Sequence, residues 1–145
     1  MATVLIDTSV LVDAERRSDA LEERIGEEDR AISVITVSEL LHGVHRADSE
    51  PRRLARQAFV EHLLARLEPV PVSAQIARVH AEIWARLEAD GQIIGAHDLW
   101  IAATALGHGM ALVTTNVRDF GRIPGLTVIE PVVAPESEPS LTLSV

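Results

Sequence analysis

The strongest constraint on the fold is an alternation of short, β-branched apolar runs with helical segments. Thr3-Val4-Leu5-Ile6 reads as a buried strand, closed by the turn-forming string Asp7-Thr8-Ser9. A helix from Ser9 to Arg16 covers it, and an acidic amphipathic helix is expected over Asp19 to Glu28. Ala31 to Val34 reads as a second strand. Thr36 or Ser38 is placed to cap the helix that carries Glu39 and runs to His45. Pro51 opens a long helix to about Leu67. Val70-Pro71-Val72 is a third strand, whose proline points to an edge or a strand start. Ser73 caps a helix through Ile83 and Leu87 that Gly91 ends. Ala96 to Gly107 is the most apolar helix, and strands over Ala111 to Thr114 and Leu126 to Ile129 follow. Such alternation predicts an α/β fold with a mainly parallel sheet.

Composition narrows the class. At 145 residues one domain is expected, and 47 % hydrophobic residues suffice for a sizeable core. Cysteine is absent, which excludes disulfides, thiolate metal sites and cysteine catalysis. No basic leader precedes the first strand, and the weakly polar stretch from Leu99 to Val113 is too short to span a bilayer. A cytoplasmic, non-membrane protein is the expectation. The body is expected over residues 1–131, with 132–145 as a flexible or partner-docking tail.

Four acidic residues carry the chemistry. Asp7 follows the first strand, Glu39 sits early in its helix, Asp98 opens an apolar helix, and Asp119 follows Thr114-Thr115-Asn116. In a parallel sheet ligands gather beyond the carboxyl ends of the strands, so one rim can collect all four. Clustered carboxylates raise each other's pKa unless a cation joins them. Oxygen ligands of this kind suit magnesium, with manganese as the alternative. That points to metal-assisted chemistry on a phosphate ester. The formal net charge of −9 argues at first against a nucleic-acid ligand. Every basic residue other than histidine is arginine, however, the better fork for phosphate. Arg46, Arg52, Arg53 and Arg56 cluster around one turn, and Arg118 and Arg122 flank Asp119.

Taken in order, Ile6-Asp7-Thr8-Ser9, Ser38-Glu39-Leu40 with Gly43 one turn on, Asp98-Leu99-Trp100-Ile101-Ala102-Ala103, and Thr114-Thr115-Asn116-Val117-Arg118-Asp119-Phe120 resemble the PIN domain. More closely, they resemble the VapC ribonuclease toxins of prokaryotic toxin–antitoxin pairs. The likeness runs from about Thr3 to Pro131. It implies a three-layer α/β/α sandwich and magnesium- or manganese-dependent endonucleolytic cleavage of structured RNA, transfer or ribosomal. It also implies Asp7 as the central metal ligand, Glu39 and Asp98 as the next two, and Asp119 as the fourth acid. In some relatives that acid stands nearer the strand, where this chain has Asn116, so both positions are candidates. Thr8 and Thr115 are expected to orient carboxylates or touch phosphate. A homodimer and a small antitoxin are the implied protein partners.

Two other classes are weaker. A phosphatase or receiver domain with a nucleophilic aspartate normally clamps the phosphoryl group with lysine, and this chain has none. Thr8-Ser9 also stands where a second acid is needed. A catalytically silent PIN-like module that binds RNA or protein is the remaining alternative, yet all four acids are present. Leu40, Leu41, Val44, Leu54 and Phe59 are expected to face the antitoxin, and the helix from Ile76 to Leu87 a second copy. His97 beside Asp98 reads as a solvent-facing or substrate-positioning histidine, and Trp84 and Trp100 as packing residues.

Overall fold

The computed structural model describes residues 3–17 and 29–132. The helix expected over Asp19 to Glu28 and the tail from residue 133 onward lie outside the described residues. Five strands form one sheet: β1 (Thr3–Ile6), β2 (Asp29–Ser33), β3 (Pro69–Val70), β4 (Ala111–Val113) and β5 (Val128–Ile129). Their spatial order is β3-β2-β1-β4-β5, and every pairing is parallel. The described helices are α1 (Thr8–Arg17), α2 (Val34–His45), α3 (Glu50–Leu64), α4 (Ala74–Ala89), α5 (Ala96–Gly107) and the short α6 (Val117–Phe120).

The three layers follow from the pleat. Successive side chains on a strand point to opposite faces, so β1 feeds two cores. Val4 and Ile6, with Ile32 and Val113, pack under α1, α2 and α3, against residues such as Leu11, Val44 and Val60. Leu5, with Ala31 and Leu112, packs under α4 and α5, against Ile76, Ile83 and Ile101. Both faces are covered, which explains why the strands are apolar throughout rather than alternating. The third strand lies on the sheet's edge, as expected, but it spans Pro69–Val70: Pro71 and Val72 fall outside it, and the proline it carries is Pro69, at the strand start.

Helix α5 is the most deeply buried, with Leu99 and every residue from Ile101 to Ala105 inside. Its alanines let α4 approach closely, and at Gly107 an added Cβ would lie 2.5 Å from Ile76 Cδ1. Several boundaries differ from expectation, β5 for instance spanning Val128–Ile129 and not starting at Leu126. Val34 is the first residue of α2, not the last of a strand, because Ser33 Oγ accepts the Ile35 N–H at 3.1 Å and caps the helix. Neither Thr36 nor Ser38 is the cap, and Glu39 consequently lies in the second turn of α2 instead of the first. Helix α3 begins at Glu50 under a Ser49 cap, and the chain leaves it after Leu64.

Candidate active site

The strand order reverses direction of growth at β1 and β4, and a crevice at such a point is where open α/β sheets bind ligands. Here it is a cleft of about 670 Å³ lined by Asp7, Glu39, Asp98, Thr8, Thr115 and Asn116, among others. Four carboxylates line this space: Asp13 on α1, whose Oδ1 lies 3.4 Å from Arg17 Nε, and three sequence-predicted acids from three further places in the fold. Asp7 comes from the β1–α1 junction, Glu39 from α2, and Asp98 from the first turn of α5.

Asp7 is 4 % exposed and held on all sides. Its N–H donates to Val113 O at 2.9 Å, which anchors it to β4. Its Oδ2 accepts from Ser9 Oγ at 2.7 Å and from Thr114 Oγ1 at 2.8 Å. Ser9 Oγ in turn accepts the Thr115 N–H at 3.2 Å, and Thr114 Oγ1 accepts the Asn116 N–H at 2.9 Å. Charge-assisted bonds of this kind are short and fix orientation. Ser9 and Thr114 are therefore the residues that sequence reading missed. The signal for Ser9 was its place two residues after Asp7, within reach of that carboxylate. Thr114 gave a weaker signal, as the polar residue that ends β4.

Glu39 is oriented by Thr8, whose hydroxyl lies 2.8 Å from Glu39 Oε1 and 3.0 Å from Thr36 Oγ1. Thr36, fully buried, is thus a support for Thr8 and not a helix cap. His97 is exposed, with Nδ1 3.7 Å from Glu39 Oε2. Thr115 lines the cleft with an exposed side chain, and its described contact to the network is its backbone N–H.

Asp98 is the stressed group. Among the described residues its carboxylate accepts no hydrogen bond, although the amino end of α5 favours a negative charge there. Burial pushes its pKa up to about 6, helped by the charges of Asp7, Glu39 and Asp119 and opposed by His97. Burial and like charges therefore outweigh the helix end.

Asp119 stands at the edge of this group. Its Oδ2 accepts from Asn116 Nδ2 at 3.0 Å and its Oδ1 lies 3.8 Å from Arg122 Nη1. Asn116, not Asp119, lines the cleft wall, while Asp119 is felt through its charge on Asp98. As the side chains stand, no three of the described acidic or histidine groups form a ready-made ion site.

A cleft of clustered acids at the switch point of a parallel sheet places the protein in the α/β class with an acidic site, and comparison with known proteins gives the family. The PIN domain profile matches residues 4–126. A ribonuclease VapC1 of Rickettsia felis is 36 % identical over 126 residues, spanning 87 % of this chain and 94 % of that protein. A tRNA(fMet)-specific endonuclease VapC of Salmonella typhimurium is 37 % identical over 97 residues, spanning 67 % of this chain and 71 % of that protein. Among solved structures, VapBC2 of Rickettsia felis bound to a DNA fragment of its promoter superposes with a TM-score of 0.77 at 30 % identity. It covers 88 % of this chain and 98 % of that one. The chain belongs to the PIN-domain family and, within it, to the VapC ribonucleases.

Proposed function

We propose that the protein is the toxin of a toxin–antitoxin pair, an endoribonuclease that cuts structured RNA, with transfer RNA as the first substrate to test. The observation that carries the reading is the cleft itself. Asp7, Glu39 and Asp98 share it with a fourth acid, Asp13, and the pKa of Asp98 is pushed up to about 6. Such a site is stable in its charged form when a cation joins it.

Hard carboxylate oxygens suit a divalent ion, magnesium first and manganese second. Asp7, Glu39 and Asp98 would hold it, with Asp119 and Asn116 completing the polar rim. A bound divalent ion supplies a water of lowered pKa and neutralises charge on the scissile phosphate. The chain's own residues fix the rest. Ser9 and Thr114 lock Asp7, Thr8 aims Glu39, and Thr115 presents a hydroxyl at the mouth toward a phosphate oxygen. No histidine is required as base, and His97 is read as a positioning group beside Glu39.

Two similar solved structures, VapBC-5 of Mycobacterium tuberculosis and a complex from Klebsiella pneumoniae, are of toxin–antitoxin systems, which supports a small antitoxin as partner. Its surface is not the one expected from sequence in full. Leu40 and Val44 belong to the core, so of the five named apolar residues Leu54 is exposed and Leu41 and Phe59 are partly so. A homodimer through α4, where Trp84 is 54 % exposed, completes the proposed assembly, in the cytoplasm. No described helix is long and apolar enough to cross a membrane.

The test is cleavage of total RNA by purified protein, free of antitoxin, with magnesium, manganese or chelator, beside Asp7→Asn. Discrete fragments that need the metal and vanish in Asp7→Asn are the expected outcome. Intact RNA in every lane, from protein that melts cooperatively, would favour a silent binding module instead.

A further inference from the structure

Beside the acidic cleft lies a further groove of about 480 Å³, between α1, α2 and α3. The two share Val12, Arg16 and Glu39 in their linings, so they adjoin one another. Four arginines line the groove: Arg16, Arg46, Arg52 and Arg56. Three acids oppose them, Glu15, Glu39 and Asp48. One of these is already engaged, since Arg52 Nη1 reaches the two oxygens of Asp48 at 3.0 and 2.9 Å. Another, Glu39, belongs to the cleft. In a chain of net charge −9, this is a local reversal of sign.

The arginines also differ in what they are free to do. Arg56 is partly buried and pinned, its Nη1 donating to Gly43 O at 2.9 Å. Gly43 leaves that wall open, since an added Cβ would meet nothing within 4 Å. Arg16 and Arg46 are exposed, and their guanidinium groups have no ion pair or hydrogen bond to any described residue. Arg53, next to Arg52 in sequence, is not part of the groove lining and pairs with Glu50. The cluster seen in the sequence is therefore split by the fold, and Arg16 joins from a distant helix.

We infer that this groove is a phosphate track that holds the RNA strand on one side of the bond to be cut, with Arg16 and Arg46 as its principal contacts and Arg56 as a fixed third. The inference rests on the ribonuclease reading above. A polymer bound in the cleft must leave it over neighbouring surface, and this surface offers several guanidinium forks. Phosphodiesters present a charge at every nucleotide, and a guanidinium meets each bidentately. An acidic segment of a protein partner is the competing occupant, and the groove's position beside the carboxylate cleft favours the RNA strand.

The experiment uses the full chain carrying Asp7→Asn, so that RNA is bound and not cut. Its probe is a fluorescein-labelled single-stranded RNA of about 12 nucleotides, titrated by anisotropy at several salt concentrations. Arg16→Gln with Arg46→Gln is expected to weaken binding roughly tenfold at low salt. The log–log salt slope should fall by about 1.4, at about 0.7 per lost phosphate contact on a single strand. Arg53→Gln with Arg66→Gln, outside the groove, should leave both unchanged, and lysine at 16 and 46 should restore the slope. Both tested side chains are exposed and make no ion pair or hydrogen bond among the described residues, so the fold is not at stake. An unchanged slope in the double variant, from a wild type that cleaves RNA, overturns the track alone. The same slope with lost capture of co-produced antitoxin assigns the groove to protein and also overturns it. If the wild type does not cleave and the Asp7→Asn protein binds no RNA, both readings fall together.

Discussion

Two corners of one cleft hold aspartates in opposite surroundings. At the β1–β4 corner, Asp7 is tied by its backbone to β4 and by Oδ2 to the hydroxyls of Ser9 and Thr114. At the α5 corner, Asp98 has no described hydrogen-bond donor and is pushed by burial and by its acidic neighbours to about pH 6. The first carboxylate is positioned by the protein alone. The second is left for something else to satisfy. A site built this way is preorganised on one side and strained on the other, which is how a cleft can be ready for a cation and yet repel one carboxylate from another without it.

Removing the strained charge should have the largest effect, in opposite directions for stability and activity. Asp98→Asn is expected to lower RNA cleavage by roughly three orders of magnitude. In chelator it should raise Tm by a few degrees, on the scale of about 2–4 °C per kcal/mol for a chain of this size. The pH dependence has a definite sign. A carboxyl whose folded pKa lies above its unfolded value binds more protons in the native state, so its burden on stability grows as pH rises from about 4 to about 6 and is complete above that. The metal-free wild type should therefore lose a component of stability across this window that Asp98→Asn lacks. Parallel Tm profiles for the two proteins would show that Asp98 is not the strained group.

Loosening the positioned corner should cost less. Ser9→Ala with Thr114→Val removes both hydroxyl donors from Asp7 while keeping its charge. Loss of such supporting bonds typically costs ten- to a hundredfold in metal affinity or activity. The metal concentration needed for half-maximal cleavage is the readout. An activation curve superposable on the wild type would reduce this network to packing.

Asp119→Asn should have the smallest effect, roughly tenfold or less, because that carboxylate is shared with Asn116 and Arg122 at the cleft's edge. Its charge still contributes to the strain on Asp98, so the variant should shift the Tm-versus-pH profile slightly in the direction of Asp98→Asn. A loss as large as that of Asp98→Asn would make Asp119 a full partner of the other three acids.

Sequence by itself determined the layer architecture, because apolar runs of four or five residues alternating with helical periods leave a parallel sheet as the way to cover both faces. It determined the acids Asp7, Glu39 and Asp98, whose places at strand ends and near helix starts are local properties, and the edge position of the third strand. It misjudged the start of α2, since the cap hydroxyl that wins is Ser33, hidden at the end of β2. Only the tertiary structure decided what depends on which elements become neighbours. Ser9 and Thr114 stand 105 residues apart and meet at Asp7, and Thr8 reaches Glu39 across 31. Asn116 takes the cleft wall while Asp119 turns to the edge. Arg16 joins Arg46 and Arg56 while Arg53 is not part of the groove lining. Hydrogen bonds reach about 3 Å, and no periodicity along a chain encodes which distant side chains will come within that distance.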